Sequence, residues 1–155
     1  MNNKKVIRKV LPQDVPAIIR LINELAEYEK LLHEVIITSD NLHTALFGSE
    51  AFVEMLVAEY NSEIIGYALY FKNFSTFKGK PGIYLEDLFV KPEFRGKGFG
   101  KALFESIIKT AKEKNYGRVE WSVLNWNQPA IDFYKARGAE ALDDWKTYRL
   151  TENDF

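Results

Sequence analysis

The sequence predicts a mixed α/β fold, and three observations carry that prediction. Apolar residues recur with the helical period in some segments and alternate as in strands in others. Two strand-like runs meet at Asn61-Ser62, a two-residue hairpin signal that requires antiparallel neighbours. Farther along, a strand passes through a glycine-rich turn into an amphipathic helix and then into another strand, which is a crossover unit. At 155 residues, 46% hydrophobic and 14% aromatic, the chain is expected to be one domain, 1–155, with ample apolar content for a core.

Each element has its own warrant. Lys4 to Val10 reads as a short first strand. Pro12-Gln13-Asp14 opens a helix to about Leu31, since Ile18, Leu21, Ile22, Leu25, Ala26 and Tyr28 fall on one face. Thr38-Ser39-Asp40 is an N-cap cluster for a shorter helix through Phe47, with Gly48 as its stop. Ala51 to Tyr60 and Glu63 to Phe74 form the hairpin. Asn73 to Gly82 is expected to be a loop, and Ile83 to Val90 the next strand. A helix covers Gly98 to Lys114, ended by Asn115-Tyr116-Gly117, and Arg118 to Leu124 is a strand. Asn127-Gln128-Pro129 begins a helix through Tyr134 to Arg137, with Pro129 in its first turn and Gly138 just past its end. A last strand is expected over Trp145 to Leu150.

Composition bounds the function. A net charge of −1 gives no basic field for nucleic acid or an anionic membrane, and neither is an expected partner. The lysines at 97, 101, 109, 112 and 114 fit a solvated helix face. Met1 to Val10 has no apolar core of a leader peptide, and no run is long enough to span a bilayer, so a cytoplasmic protein is expected. There is no cysteine, so no thiol can carry an acyl group. His33 and His43 have no matched ligand spacing, and no metal is expected.

The densest chemistry lies at 86–103, where the strand meets Pro92 and then Arg95-Gly96-Lys97-Gly98-Phe99-Gly100-Lys101 at a helix start. Backbone N–H groups and the helix dipole converge there, which favours an anion such as a phosphate. The spacing is wrong for a P-loop, because Gly96 and Gly100 are too close and Ala102 offers no hydroxyl. Nor does it match the G-x-G-x-x-G dinucleotide fingerprint. A turn that needs left-handed glycines before a helix is the plain alternative.

Arg95-Gly96-Lys97-Gly98-Phe99-Gly100 resembles the Gln/Arg-x-x-Gly-x-Gly/Ala loop of the GCN5-related (GNAT) N-acetyltransferases, which holds the pyrophosphate of acetyl-CoA. Asn127-Gln128-Pro129-Ala130-Ile131-Asp132-Phe133-Tyr134-Lys135-Ala136-Arg137-Gly138-Ala139 resembles the family's second signature, in the right order and at the right separation. The resemblance implies a mostly antiparallel central sheet, splayed around an acetyl-CoA cleft and flanked by helices. It implies an acetyl-CoA-dependent enzyme that transfers acetyl directly to an amine. Leu88, Phe89 and Val90 would pair with the pantetheine, Arg95 to Lys101 would wrap the pyrophosphate, and Asn127, Pro129, Ala130 and Tyr134 would contact the cofactor from the second motif. Tyr134 would be the general acid for the departing thiolate, a phenol of pKa about 10 being matched to such a leaving group. Packing of its ring is the alternative reading.

Glu86 is the candidate base. Strand alternation places it with Tyr84, Leu88 and Val90, and Asp87 on the opposite face as a rim or substrate-charge residue. A carboxylate in an apolar strand is costly unless paired or used, and pairing with Arg118 or Lys146 is the other reading.

Across nearly the whole chain the sequence is similar to the spermidine/spermine and thialysine acetyltransferase branch, above all in Leu21 to Lys30, Tyr84-Leu85-Glu86-Asp87 and Trp126-Asn127-Gln128-Pro129. By that similarity Tyr28 and Glu29 line an acceptor pocket, with Glu86 and Asp87 opposite, Trp145 near the mouth, and a homodimer as the assembly. Thr76 stands where polyamine-specific members carry an acid, which favours a lysine-like or small diamine acceptor. A protein amine as acceptor, or a non-catalytic acetyl-CoA-binding module, are the competing readings.

Overall fold

The computed structural model describes residues 4–155; Met1 to Asn3, the start of the stretch read for a leader, lie outside it. Two compact units are distinguished, one extending through Ser122 and the other Val123–Phe155. The first holds β1 (Lys5–Lys9), α1 (Val15–Tyr28), α2 (Ser39–Phe47), β2 (Glu54–Tyr60), β3 (Glu63–Ser75), β4 (Lys80–Val90), α3 (Phe99–Glu113) and β5 (Val119–Glu120). The second holds α4 (Gln128–Lys135). The described strands form a five-stranded sheet in the order β1-β2-β3-β4-β5, antiparallel except for the parallel β4–β5 pair.

Local chemistry sets the element ends. Asn61 and Ser62 both take positive φ, as a two-residue hairpin turn demands. Thr38 and Asn41 cap α2 reciprocally, each side chain bonding the other's backbone N–H at 3.0–3.1 Å. Lys30 adopts φ 62 and Leu31 N–H bonds the Ala26 carbonyl at 2.8 Å, so α1 stops at Tyr28 rather than running to Leu31. The expected loop at 73–82 shrinks to Thr76–Gly79, because Asn73 to Ser75 and Lys80 to Gly82 pair in the β3–β4 ladder.

Two layers cover the sheet. Val15, Ile18 and Leu21 of α1 and Leu42 of α2 pack with Met55, Val57, Tyr67 and Phe89 in one cluster. The α3 side chains Phe99, Leu103, Phe104, Ile107 and Ala111 are buried over β2, β3 and β4. One ionic contact joins β1 to the start of α1. Arg8 makes a two-pronged contact with the buried Asp14 carboxylate at 2.7 and 3.0 Å and also reaches Glu59. Burial pushes the Asp14 carboxyl up, but the Arg8 bonds and the Leu11 N–H outweigh it and hold its pKa below the usual value.

The most consequential irregularity is in β4. Leu69 pairs with Asp87 and Tyr70 with Leu85, so Glu86 is an extra residue, a β-bulge. The simple alternation expected for 84–90 is therefore corrected. Across the bulge Tyr84 shares a face with Asp87 and Phe89, through Phe71, Leu69 and Tyr67, whereas Leu88 and Val90 share the other with Ile83 and Leu85. Glu86 itself is exposed.

Two expected strands are corrected as well. Arg118 to Leu124 reduces to Val119–Glu120, whose pairs with Ile83 and Tyr84 end where the bulge begins. A bulge bends and twists its strand, which turns β4 away from the line of the parallel ladder. Trp145 to Leu150 is irregular. Its alternation sets Tyr148 and Leu150 against Trp145, leaving neither face clearly apolar, and the three side chains are all exposed.

Asp14→Ala should destabilise the fold by about 2 kcal/mol, because it removes a two-pronged charge-assisted contact, leaving Arg8 to Glu59 alone and the Leu11 N–H without its acceptor. Urea denaturation at pH 7 checks this, and the loss should shrink at acid pH, where the wild-type contribution of an Asp14 pKa below normal also disappears.

Candidate active site

The end of β4 and the loop after it concentrate the candidate residues of the first unit. Gly96 (φ 73) and Gly98 (φ 81) occupy left-handed backbone, and Gly98 is the N-cap of α3. Only glycine takes these angles without strain, so the loop folds back and brings its N–H groups to the open end of α3. Phe99 is not exposed as a ligand group. Its ring is buried beside Phe94 and Tyr60 and anchors the turn, so its contribution to the loop is its backbone. Lys5 braces the loop from β1, donating to the Lys97 carbonyl at 3.1 Å and lying 4.5 Å from the Phe99 ring centroid. That brace is not legible from the loop motif. Lys101, at the start of α3, lies 3.7 Å from Glu105 along the helix surface.

Arg95 ties the loop to the end of α1. Its Nε donates to the Val90 carbonyl at 2.9 Å, and its guanidinium lies 4.7 Å from the Tyr28 ring and 5.4 Å from the Phe89 ring. Tyr28 closes α1 and Glu29 is its C-cap. The sequence-predicted residues Tyr28, Glu29, Phe89 and Arg95 thus belong to one neighbourhood with Glu86 and Asp87.

Asp87 is the electrostatic focus of that neighbourhood. Burial pushes its carboxyl up to about 6, with help from the negative charges of Glu86 and Glu29 and against a hydrogen bond from Tyr67. Burial likewise raises Glu29. Tyr67 donates its hydroxyl to Asp87 Oδ2 at 2.9 Å, and burial together with the same three carboxylates holds its phenol well above its ordinary value. Tyr67 belongs to this cluster of charge, and no sequence motif marks it. The available signal is a tyrosine on the inward face of an apolar strand, since a buried hydroxyl needs a partner. The alternative partner for Glu86, Arg118, is committed elsewhere, to Glu120 and to Ser75 Oγ at 3.3 Å.

On its α1-facing side β4 holds Asp87 and Phe89. Along its edge it pairs with β5 only through Ile83 and Tyr84, so the backbone of Leu88, Phe89 and Val90 lies beyond the end of that ladder.

The second unit carries the other motif. Asn127 caps α4, its Oδ1 accepting from Ala130 N–H at 3.3 Å, with Pro129 in the first turn. Tyr134 lies seven residues on, two turns along the same face, its ring edge-on to Phe133. Gly138 at φ 82 lets Ala139 N–H return to the Tyr134 carbonyl at 3.2 Å. Trp145 is exposed in the irregular segment that follows.

The family model for the GNAT acetyltransferases matches residues 17–139, which span both units. The chain belongs to this acetyltransferase family. GNAT relatives include a thialysine N-epsilon-acetyltransferase of Bos taurus, 41% identical over 94% of this chain and 91% of that one. An L-ornithine N5-acetyltransferase of Arabidopsis thaliana is 31% identical over 94% of this chain and 83% of its own. Among solved structures, an integron cassette protein from the mobile metagenome of V. cholerae superposes with a TM-score of 0.80 at 26% identity, covering 97% of this chain and 94% of that one.

Among the described residues no cluster of three or more His, Cys, Asp or Glu could hold a metal, and no helix is long and apolar enough to cross a membrane.

The Asp87 titration has a stability consequence. With its folded pKa at about 6, above the unfolded value, its contribution is fully present below about pH 4 and is lost as pH rises through 6. Asp87→Asn should therefore raise the melting temperature at pH 8, and the gain should vanish towards pH 4 in thermal scans.

Proposed function

We propose that this acetyltransferase moves the acetyl group of acetyl-CoA to the primary amine of a small cationic acceptor, of lysine-, thialysine- or diamine-like shape. The observation that carries the acceptor class is the grouping of Glu29, Glu86 and Asp87 around the Tyr67 hydroxyl, beside the glycine loop. Three carboxylates close enough to act on one hydroxyl suit a compact cation and disfavour an anionic or neutral acceptor. The names of the thialysine and ornithine relatives point the same way.

The loop suits the cofactor's phosphates. Gly96 and Gly98 take left-handed angles at the α3 N-terminus, where first-turn N–H groups lack intrahelical partners, and a Cβ at Gly96 would meet nothing within 4 Å, so the turn stands open. When bound, acetyl-CoA supplies an activated thioester. Arg95 to Lys101 would hold its pyrophosphate, and the β4 backbone at Leu88, Phe89 and Val90 would bond its pantetheine arm as an added strand. Asn127, Pro129 and Ala130 would contact that arm from the second motif.

The residues then divide the proton work. An alkylammonium has a pKa of about 10, so it must lose a proton before its nitrogen can attack. Glu86, exposed on the bulge, takes that proton directly or through water. The backbone N–H at Leu88 polarises the acetyl carbonyl as the neutral amine adds. As the C–S bond breaks Tyr134 gives a proton to the departing sulfur, and the second proton shed by the new amide nitrogen restores the phenol through water. With no cysteine in the chain, transfer is direct, from sulfur to nitrogen. By the family resemblance Tyr28 and Glu29 would line the acceptor side and Trp145 would stand near the mouth.

Coupled detection of CoA release across thialysine, lysine, ornithine, small diamines, spermidine and spermine tests this reading. Turnover should be greatest on a short cationic amine, and Tyr134→Phe should lower kcat about 100-fold. Binding of acetyl-CoA with no turnover on any amine would sink the acceptor assignment. Gly98→Ala forces φ +81 on an L-residue and sets a Cβ 3.1 Å from Lys5 Nζ. It should raise KM for acetyl-CoA about tenfold while leaving KM for the amine nearly unchanged.

A further inference from the structure

Tyr67 makes a contact that core packing does not explain. Its side chain is 0% exposed and lies in the cluster of Ile18, Leu21, Val57 and Phe89. A phenylalanine would fill the same space without burying a hydroxyl, and a buried hydroxyl is costly unless it is bonded. Its bond is to Asp87 Oδ2 at 2.9 Å.

The bulge creates this pair. Phe89 is the direct cross-strand partner of Tyr67, whereas a ladder continued from Tyr70–Leu85 without the bulge would set Leu88 opposite Tyr67 and turn Asp87 to the other face. Inserting Glu86 leaves Asp87 opposite Leu69, diagonal to Tyr67, and sends Leu85 to the other face. A diagonal neighbour lies within reach of a long aromatic side chain. The tyrosine ring has few torsions and is clamped on all sides, so its hydroxyl is a fixed point.

We infer that Tyr67 is a positioning residue, holding one oxygen of Asp87 so that the other is presented to the ammonium group of the acceptor. This rests on the acceptor reading above and deepens it. It separates the carboxylates by role: Glu86 stands exposed on the bulge, whereas Asp87 is half-buried and oriented by a partner. The groups facing Asp87 are the Tyr67 hydroxyl from β3, Glu86 from its own strand and Glu29 from the end of α1. Arg95 lies over the neighbouring Phe89 ring. Both Glu86 and Glu29 favour the protonated form of Asp87, while the Tyr67 hydroxyl favours the ionised one. Because the phenol stays protonated far above neutrality, it remains a donor throughout the working range.

Tyr67→Phe removes only the hydroxyl and keeps the ring. Three measurements on the full chain read the result: the pH profile of kcat/KM for the best small amine, the carboxyl carbon titration of Asp87 by NMR without substrate, and the same substitution made in an Asp87→Asn background. The expected result is a rise of about tenfold in KM for the amine, from loss of one hydrogen bond to a charged group. The acid limb of the profile and the Asp87 titration should both move to higher pH. KM for acetyl-CoA should not change, and in the Asp87→Asn background Tyr67→Phe should have no further effect on the amine. An unmoved Asp87 titration, or the same KM change in both backgrounds, would overturn the inference and leave Tyr67 as packing alone. Wild-type protein that turns over no small amine would overturn the acceptor reading, and this inference with it; turnover with an uncoupled pair overturns the inference alone.

Discussion

The site depends on one extra residue in β4. Inserting Glu86 between Leu85 and Asp87 reverses the facing of everything before it relative to everything after it. The reversal carries Asp87 under the α1 end, beside Tyr67, and leaves Glu86 exposed. It also coincides with the end of the β4–β5 ladder, which stops at Tyr84 and Glu120. The β4 backbone of Leu88, Phe89 and Val90 lies beyond the end of that ladder. The same irregularity therefore bears on both halves of the proposed chemistry, the acid group and the cofactor edge.

Around the bulge, each support has a distinct physical origin. The glycine loop takes left-handed angles at Gly96 and Gly98, and its own sequence dictates them. Its position is fixed from outside, by the buried Phe99 ring and by Lys5 reaching from the opposite edge of the sheet. Arg95 stitches the loop to the last turn of α1 through the Tyr28 ring. A change in the loop is thereby mechanically linked to the end of α1, where Glu29 sits. Asp87 stores the electrostatic cost of this arrangement, its proton affinity raised by burial and by two like charges.

Much of this is legible in the amino-acid sequence. Asn61-Ser62 announces its turn because both residues tolerate positive φ, and Thr38 announces α2 because a hydroxyl there satisfies an orphan N–H. Arg95-Gly96-Lys97-Gly98 is legible because left-handed backbone at a helix start restricts the residue type. Asn127 and Pro129 mark α4 for the same kind of reason. The strand expected at 145–150 does not form, since a β-branched or aromatic run becomes a strand only if a partner row accepts its hydrogen bonds. Trp145, Tyr148 and Leu150 are exposed instead.

Local sequence thus determined the turns, caps, helix faces and glycine loop, because each is satisfied by groups within a few residues of itself. Family membership is legible too, since its signatures are contiguous. Only the tertiary structure decided which face each residue of 84–90 takes. A bulge is a property of the register between two strands, and the Leu69–Asp87 and Tyr70–Leu85 pairs are set by β3 and not by β4 alone. The pairing of Tyr67 with Asp87 is hidden for that reason. It joins residues on different strands whose contact exists only once the register has slipped by one.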